Sequence, residues 1–499
     1  MPTPTVRIRM YKQGLGDCFL ITFTRSDGTP YYILIDCGAV IGSDPKNVVA
    51  AAQDVFDATK GQLDLLVGTH EHWDHLSGFG QARSTFDQFK IGNVWLGWTE
   101  DPTNPTAQAL VKNRAAKVSA LRSALTHMTA ADTGLKNSIQ QVLAFFGEDD
   151  GAGQGLGAAG ANTTAACMQY LRNRRDARVH YCNPTQDAPH TLDGVDGVRV
   201  YVFGPPTDMK LLKQDLPTAS GHETYGITSK PAEESFLAAV TAADSATDGG
   251  AGSQAQLQAY PFDEFYRVAS KEAQDPQGDA FFRQHYGFNK DDPEVWRRID
   301  QDWLNLTSEL ALNLDSDTNN TSLVLAFELG EPGSGKVLLF AADAQVGNWL
   351  SWGSLSWPLN TPGQPAQTIT ALDLLKRTVF YKVGHHGSHN ATLSTQGLDL
   401  MTSDELVAML PVVQSMAVKK GWGAMPFDVL LGNLKKKTKG RIARIDTGVP
   451  QRADAPDLTD AEWQTFISHV QETPLYIEYT LPMDTITISE NRLPPRLAV

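Results

Sequence analysis

Four residues of metal-binding type fall within six positions in the stretch GTHEHWDHLSGF, 68–79: His70, His72, Asp74 and His75. Imidazole nitrogens and carboxylate oxygens suit zinc, and also manganese or iron. The lack of cysteine among them points to an open catalytic site rather than a closed structural one. On an extended turn the rings of His70 and His72, two positions apart, project to the same side; Asp74 and His75 then face a second centre as the chain begins to coil. Groups of the same kind recur at the ends of apolar runs far along the chain: Asp343 in LLFAADA, and His385 with His386 in KVGHHGS. Charged residues are seldom buried unless paired or metal-bound, so this recurrence outweighs the plain alternative of a polar loop after a strand.

Two other motifs fail on chemistry. HEHWD is not the zincin H-E-x-x-H, because Asp74 stands where the second histidine belongs. GEPGSGKV at 330–337 has the glycines and lysine of a phosphate-binding loop, but Val337 occupies the place of the hydroxyl that would hold magnesium. It lies between two short apolar runs and reads as a hairpin turn.

The elements that must position these groups begin with strands. VRIRMY (6–11) alternates with period two, CFLITF (18–23) follows the turn GLGD, and YYILIDCG (31–38) follows SDGTP. A helix near 46–60, the strand LDLLVGT running into the histidines, and the buried strand IGNVWLGW (91–98) complete a β-rich core laid down early. From 101 to 190 the spacing turns helical, in KNRAAKVSALRSALTHM and LKNSIQQVLAFFG, with the low-complexity stretch GAGQGLGAAGANTTAA (151–166) read as a loop. Strand character returns at GVRVYVFGPP (197–206) and is interrupted again by a polar, partly helical insertion, 207–315, a candidate substrate cover. TSLVLAFELG, KVLLFAADA and RTVFYKVGHHGS are strands whose ends carry the distant ligand-type residues; MTSDELVAMLPVV (401–413) reads as an amphipathic helix and PLYIEYTLPMDTITIS as strands. The 499 residues are thus read as one large domain, with 391–499 completing the core.

Composition bounds the partners. Hydrophobic residues at 41% support a sizeable core, no apolar run approaches the roughly 18 residues that cross a bilayer, and the N-terminal residues show no secretory signal. The four cysteines, Cys18, Cys37, Cys167 and Cys182, show no CxxC spacing and read as buried free thiols of a cytoplasmic protein. A net charge of −15 disfavours long polyanions; the basic runs LRNRRDAR (171–178) and LKKKTKGR (434–441) read as solvated faces before phosphate contacts.

The H-x-H-x-D-H signature at His70, His72, Asp74 and His75 resembles that of the metallo-β-lactamase superfamily, with the ILIDCG, LLFAADA and KVGHHGS strand ends in matching order. GLGDCF, NNTSLVL and HHGS are most similar to the branch of the hydrolase domain of the DNA-uptake protein ComEC and its soluble relatives. The resemblance implies an α/β (α+β) fold, a four-layer αββα sandwich, with mainly helical insertions. It implies two divalent metal ions, Zn2+ first with Mn2+ or Fe as alternatives: His70 and His72 on one, Asp74, His75 and one of the pair His385 and His386 on the other, His385 favoured because it comes first after the strand, and Asp343 bridging. Asp36 would orient the histidine loop from outside the ligand set. Where many members carry a further metal-binding histidine this chain reads DTNNTS, so Asn319 or Asn320 fills that place with a more weakly held first metal, or water or a histidine such as His180, His190 or His222 completes it.

The reaction class expected of such a site is hydrolysis, by a water whose pKa the metals lower. A phosphodiester is the favoured substrate, a small or cyclic nucleotide or nucleic acid, with Asp74 and His386 in proton handling and Ser388 and His389 as donors to phosphate oxygens. Aromatics of the second insertion, from Tyr260 onward, are available for stacking on a base. Two other classes stay open: a hydrolase of a lactam, thioester or other carboxyl derivative, and a noncatalytic metal-binding module.

Overall fold

The computed structural model describes residues 5–127, 133–147, 163–214, 281, 285, 307–359, 367–423 and 425–482. His222 and the aromatic segment beginning at Tyr260 lie outside the described residues, as does most of the second insertion. Over the described residues the chain is mixed α/β, with two large sheets and one small one.

One sheet holds β1 (Thr5–Tyr11), β2 (Phe19–Thr24), β3 (Pro30–Ile35), β4 (Gln62–Gly68), β5 (Lys90–Gly97), β6 (Arg178–Cys182), β16 (Val470–Glu472) and β17 (Tyr476–Pro482), in the order β16-β17-β1-β2-β3-β4-β5-β6. The other holds β7 (His190–Leu192), β8 (Val195–Gly204), β9 (Val324–Leu329), β10 (Lys336–Phe340), β13 (Thr378–Lys382), β14 (Val407–Leu410) and β15 (Ile442–Arg444), in the order β15-β14-β13-β10-β9-β8-β7. A hairpin of β11 (Ser356–Leu359) and β12 (Gln367–Thr370) stands apart. Each large sheet is antiparallel over one part and parallel over the other, with parallel pairs β3/β4, β4/β5 and β5/β6 in one and β10/β13, β13/β14 and β14/β15 in the other. Three of the four edge strands, β7, β15 and β16, are only three residues long, which leaves little unpaired backbone to template aggregation.

Period-two patterning sorts the side chains. Val6, Ile8 and Met10, Phe19, Ile21 and Phe23, with Val198, Val200, Phe327, Leu338 and Phe340 from the other sheet, form one cluster between the sheets. Phe327 packs edge-on to Phe340, and Phe23 at 5.8 Å from Phe327. Truncating such a buried ring to alanine costs about 3–5 kcal/mol. The alternate residues face helices: Leu34 and Leu66 meet Val48, Val55, Leu76 and Phe79, whereas Tyr201, Ala326 and Leu339 meet Trp349, Trp352, Leu374 and Leu434. A fourth cluster, with Leu121, Ile139, Leu143, Phe146 and Leu314, joins the helices Pro105–His127, Thr133–Ala144 and Thr307–Asn320.

Two sequence expectations are corrected here. The stretch 101–190 is not helical throughout: after the helix Thr164–Arg172, which begins inside the stretch read as a loop, the chain enters β6 and extends the first sheet. Residues 401–413 contain no helix; Val407–Leu410 is a strand buried on both faces between β13 and β15. A four-residue apolar run has no period of its own, and neighbours on both sides decide it. The basic runs serve internal contacts: Arg172 pairs with Glu100, Arg174 donates to the carbonyls of Phe86 and Phe89, and Lys437 donates to that of Asp399. No helix among the described residues is long and apolar enough to cross a membrane.

Candidate metal centre

The ligand-type residues follow the carboxyl ends of four strands, β3, β4, β10 and β13, where sheet-based sites are generally built. The backbone there is unusual. Asp36 (φ 56°), Ala342 (φ 46°), His385 (φ 43°) and His386 (φ 52°) all adopt left-handed conformations. Such residues cost on the order of 1–3 kcal/mol each and persist where surrounding contacts hold them. Two glycines make the approach possible. A side chain at Gly38 would stand 2.5 Å from the carbonyl carbon of Asp74, and one at Gly16 would stand 2.6 Å from the Asp74 oxygen. The turn GLGD and the end of β3 can therefore lie directly on the start of the helix Trp73–Gln81, joined by Asp17 N–H to Asp74 O at 3.0 Å and Cys37 N–H to His75 O at 2.9 Å.

Hydrogen bonds behind the rings decide which nitrogen of each imidazole faces inward. Asp36, fully buried, accepts from the Thr69 N–H at 2.9 Å, the Thr69 hydroxyl at 2.6 Å and His75 Nδ1 at 2.7 Å. Because the Thr69 proton is given to Asp36, its oxygen accepts from His70 Nδ1 at 3.1 Å. His386 Nδ1 donates to the Pro411 carbonyl at 2.7 Å. In the neutral imidazoles, Nε2 of His70, His75 and His386 then carries a lone pair. His70 Nε2 meets His72 Nδ1 at 3.1 Å, and the outer His72 Nε2 lies 3.8 Å from Asp315 Oδ1.

On the Nε2 side the distances are short. His386 Nε2 lies 2.8 Å from Asp74 Oδ2 and 3.6 Å from Asp343 Oδ2; His75 Nε2 lies 3.1 Å from Asp343 Oδ2 and 3.9 Å from Asp74 Oδ2. A tetrahedral site with bonds of about 2.0–2.2 Å has ligand-to-ligand separations of about 3.3–3.6 Å, a range that the four distances, from 2.8 to 3.9 Å, bracket. Lone pairs facing carboxylates at these distances repel unless a cation or a proton lies between them. His75 Nε2 and Asp74 Oδ1, on the side where the carboxylates and rings converge, are buried without a hydrogen-bond partner, as groups that face a cation would be. The residues fit a divalent ion.

Asp17, His75, Asp343 and His386, all buried, each offer an atom within 4.8 Å of the others and could hold a metal ion. Asp17 reaches this group from behind, 3.8 Å from His75 Nδ1 and 3.9 Å from His386 Nδ1, and is ion-paired with the buried Lys382. Lys382 also donates to the Ala342 carbonyl at 2.7 Å and sits 3.4 Å from Asp343 Oδ1. Asp17 is thus neutralised on the far side of the rings, and Asp74 and Asp343 are the carboxylates on the Nε2 side.

The titration behaviour follows this layout. Burial depresses His75 and His386, but Asp343 and the other carboxylates around them outweigh it and raise both. Burial disfavours the Asp343 and Asp74 anions, yet His75 and His386 hold both below the ordinary carboxylate range. His72, with little to offset burial, falls to about 3, and His385 to about 4. Burial, with Asp74 and Asp343 nearby, pushes Asp315 up to about 8.

Several sequence assignments change. His385, expected as a metal ligand, places its Nδ1 3.3 Å from Gln345 Nε2 and its backbone N–H on Asp343 Oδ1. His386, expected to handle protons, takes the place against Asp74 and Asp343; the left-handed turn swings the second ring, not the first, toward them. Asn320 was expected to support the metal site, but its side chain donates to Gln214 O and accepts from Asn348 N, and Asp315 is the group that approaches His72. The Ser388 hydroxyl donates to Asn390, and the exposed His389 lies edge-on to Phe427, so these side chains point to other partners than the cluster. His180 and His190 are bound to Asp187 and do not complete the first centre. Asp17 and Lys382 were missed, although a lysine closing the apolar strand before the histidine pair was a readable signal; for Asp315 the sequence carried none.

Side chains distant in sequence surround the histidine loop. Glu71, between His70 and His72, pairs with Arg114 of the helix Pro105–His127, and Arg114 with Glu100 at 3.1 Å. Phe145 and Phe146 each lie 5.2 Å from the His72 ring, and Trp422 stacks on Phe145 at 5.0 Å. Comparison with protein-family models, with curated proteins and with solved structures gives no match.

Proposed function

We propose that this chain is a metal-dependent hydrolase on a four-layer αββα metallo-β-lactamase sandwich, acting on a phosphodiester. Helices on the outer face of each large sheet and an apolar cluster between the sheets support the layer order. The observation that carries the function is the buried convergence of His70, His72, Asp74, His75, Asp343 and His386 from separate strand ends, with inward nitrogens fixed by donors behind them.

In this reading His70 and His72 would hold one cation and Asp74, His75 and His386 the other, with Asp343 beside them. Divalent cations at such a centre supply Lewis acidity and bring the pKa of a water toward neutrality. Asp36 and the Pro411 carbonyl keep His75 and His386 in the tautomer that presents Nε2. Asp74 Oδ1, buried and without a hydrogen-bond partner, accepts the proton that water gives up. His385, neutral because burial depresses it, takes a hydrogen bond from Gln345 at Nδ1 and donates from Nε2 to a phosphoryl oxygen or leaving alkoxide. The net charge of −15 and the internal use of both basic runs favour a small or cyclic diester over long duplex nucleic acid.

The test is turnover of bis-p-nitrophenyl phosphate by the full chain, with metal content measured on the same samples. Activity should vanish with chelator and return with Zn2+ or Mn2+. His386→Asn should lose metal and rate together, whereas His385→Asn should keep metal and lose rate. Turnover indifferent to chelator, or turnover of nitrocefin or an acyl thioester without any of the phosphodiester, overturns the proposal.

A further inference from the structure

A second group of metal-binding residues lies apart from the centre just described and shares no residue with it. β6 and β7 are edge strands of the two different sheets, and residues 183–189 carry the chain from one to the other. His180 and Cys182 are two apart on β6 and therefore share a face, the one on which Cys182 joins the apolar cluster between the sheets. His190 opens β7, and Asp187 lies in the crossover between them. Asp187 Oδ2 lies 3.2 Å from His180 Nε2 and 3.3 Å from His190 Nε2. His180, Cys182 and Asp187 each offer an atom within 4.8 Å of the others. Trp95 backs both rings, at 6.0 Å from His180 and 4.6 Å from His190.

We propose that His180, Cys182 and Asp187 form a second metal site, of the zinc type, that clips the crossover between the two sheets, with His190, which meets Asp187, moving in as the fourth ligand. The ligand set of two imidazoles, a carboxylate and a thiolate is one that zinc accepts, and the two nitrogen-to-oxygen distances match tetrahedral edges of about 3.3–3.6 Å. Hydrogen bonding alone satisfies the group poorly. The same Asp187 oxygen already accepts the Asn183 N–H at 2.9 Å, so two imidazole donors would crowd three protons onto about two lone pairs. With a cation in place both Nε2 lone pairs point at the metal, and Cys182 binds as thiolate after releasing its thiol proton to solvent. The side chains of His180 and His190 are 38% and 23% exposed, which leaves a route for an ion from solvent. The site does not depend on the hydrolase reading, because it lies at the outer edges of the sheets and supplies attachment rather than chemistry.

Sulfur makes it separable by experiment. The full chain, stripped of metal, is titrated with Co2+ and followed by absorption. A sulfur-to-cobalt charge-transfer band should appear and saturate at an intensity of one sulfur-bound Co2+ per chain, whereas the centre around His75 has no sulfur ligand and takes up Co2+ without adding to it. Cys182→Ser should abolish the band, Asp187→Asn should weaken it, and Asp74→Asn, which perturbs only the other centre, should leave it intact. Circular dichroism on each variant establishes that it is folded; should Cys182→Ser fail to fold, the wild-type band and its response to Asp187→Asn decide the matter. Absence of a sulfur band at saturating Co2+, or a band that survives Cys182→Ser in folded protein, overturns the proposal.

Discussion

Asp36 is the residue whose replacement best separates support of the metal centre from support of the fold. Its carboxylate holds three donors, two on Thr69 and one on His75, in a fully buried position. In Asp36→Ala the Thr69 hydroxyl can turn elsewhere, but the Thr69 N–H and His75 Nδ1–H are fixed. Leaving two buried donors unpaired costs about 1–3 kcal/mol each, so about 2–6 kcal/mol in all. That approaches the whole stability of a typical protein, about 5–15 kcal/mol, and Asp36→Ala should give little folded protein. Asp36→Asn keeps one acceptor oxygen but sets an amide N–H against either Thr69 or His75. It should fold with a cost of about 1–3 kcal/mol. Because His75 then loses the partner that fixes its tautomer, metal affinity should fall about 10–100-fold. Chelator competition with Zn2+ reads the affinity, and urea unfolding of the metal-free protein reads the stability. Unchanged metal affinity alongside reduced stability would refute the argument that Asp36 orients a ligand.

Two further consequences concern buried charge. Lys382→Met should destabilise the protein by about 3–5 kcal/mol, because it leaves Asp17 buried and uncompensated, and adding Asp17→Asn should recover most of the loss in urea unfolding. In the metal-free protein, Asp315 keeps its proton up to about 8, whereas the unfolded chain releases it near the ordinary carboxylate value. Between those values the folded state holds the extra proton, so stability should fall as pH rises through that window. Urea midpoints at pH 5 and pH 8 should differ less in Asp315→Asn than in the wild type; an equal difference in both would refute it.

Much of the scaffold was legible because its causes are local. Period-two alternation located β1, and apolar runs bounded by turn residues located β2 to β5 and β8 to β10; the rejected phosphate-loop motif is the turn of the antiparallel β9/β10 pair. The failures share one cause. Val407–Leu410 and Arg178–Cys182 are short segments whose state is decided by the strands beside them, and no spacing within them carries that information.

The same division runs through the centre. Residue types and strand ends determined that histidines and aspartates would gather at one edge, since these groups are costly to bury without a partner and stand where apolar runs stop. Which ring faces which carboxylate was decided only by the folded chain. His386 rather than His385 meets Asp74 because consecutive left-handed residues redirect the turn and the Pro411 carbonyl seizes Nδ1. Asp17 and Lys382 pair across 365 positions of sequence, and Asp315 reaches His72 from a helix 243 positions away. Such pairings depend on distances through space, and adjacency along the chain holds no record of them.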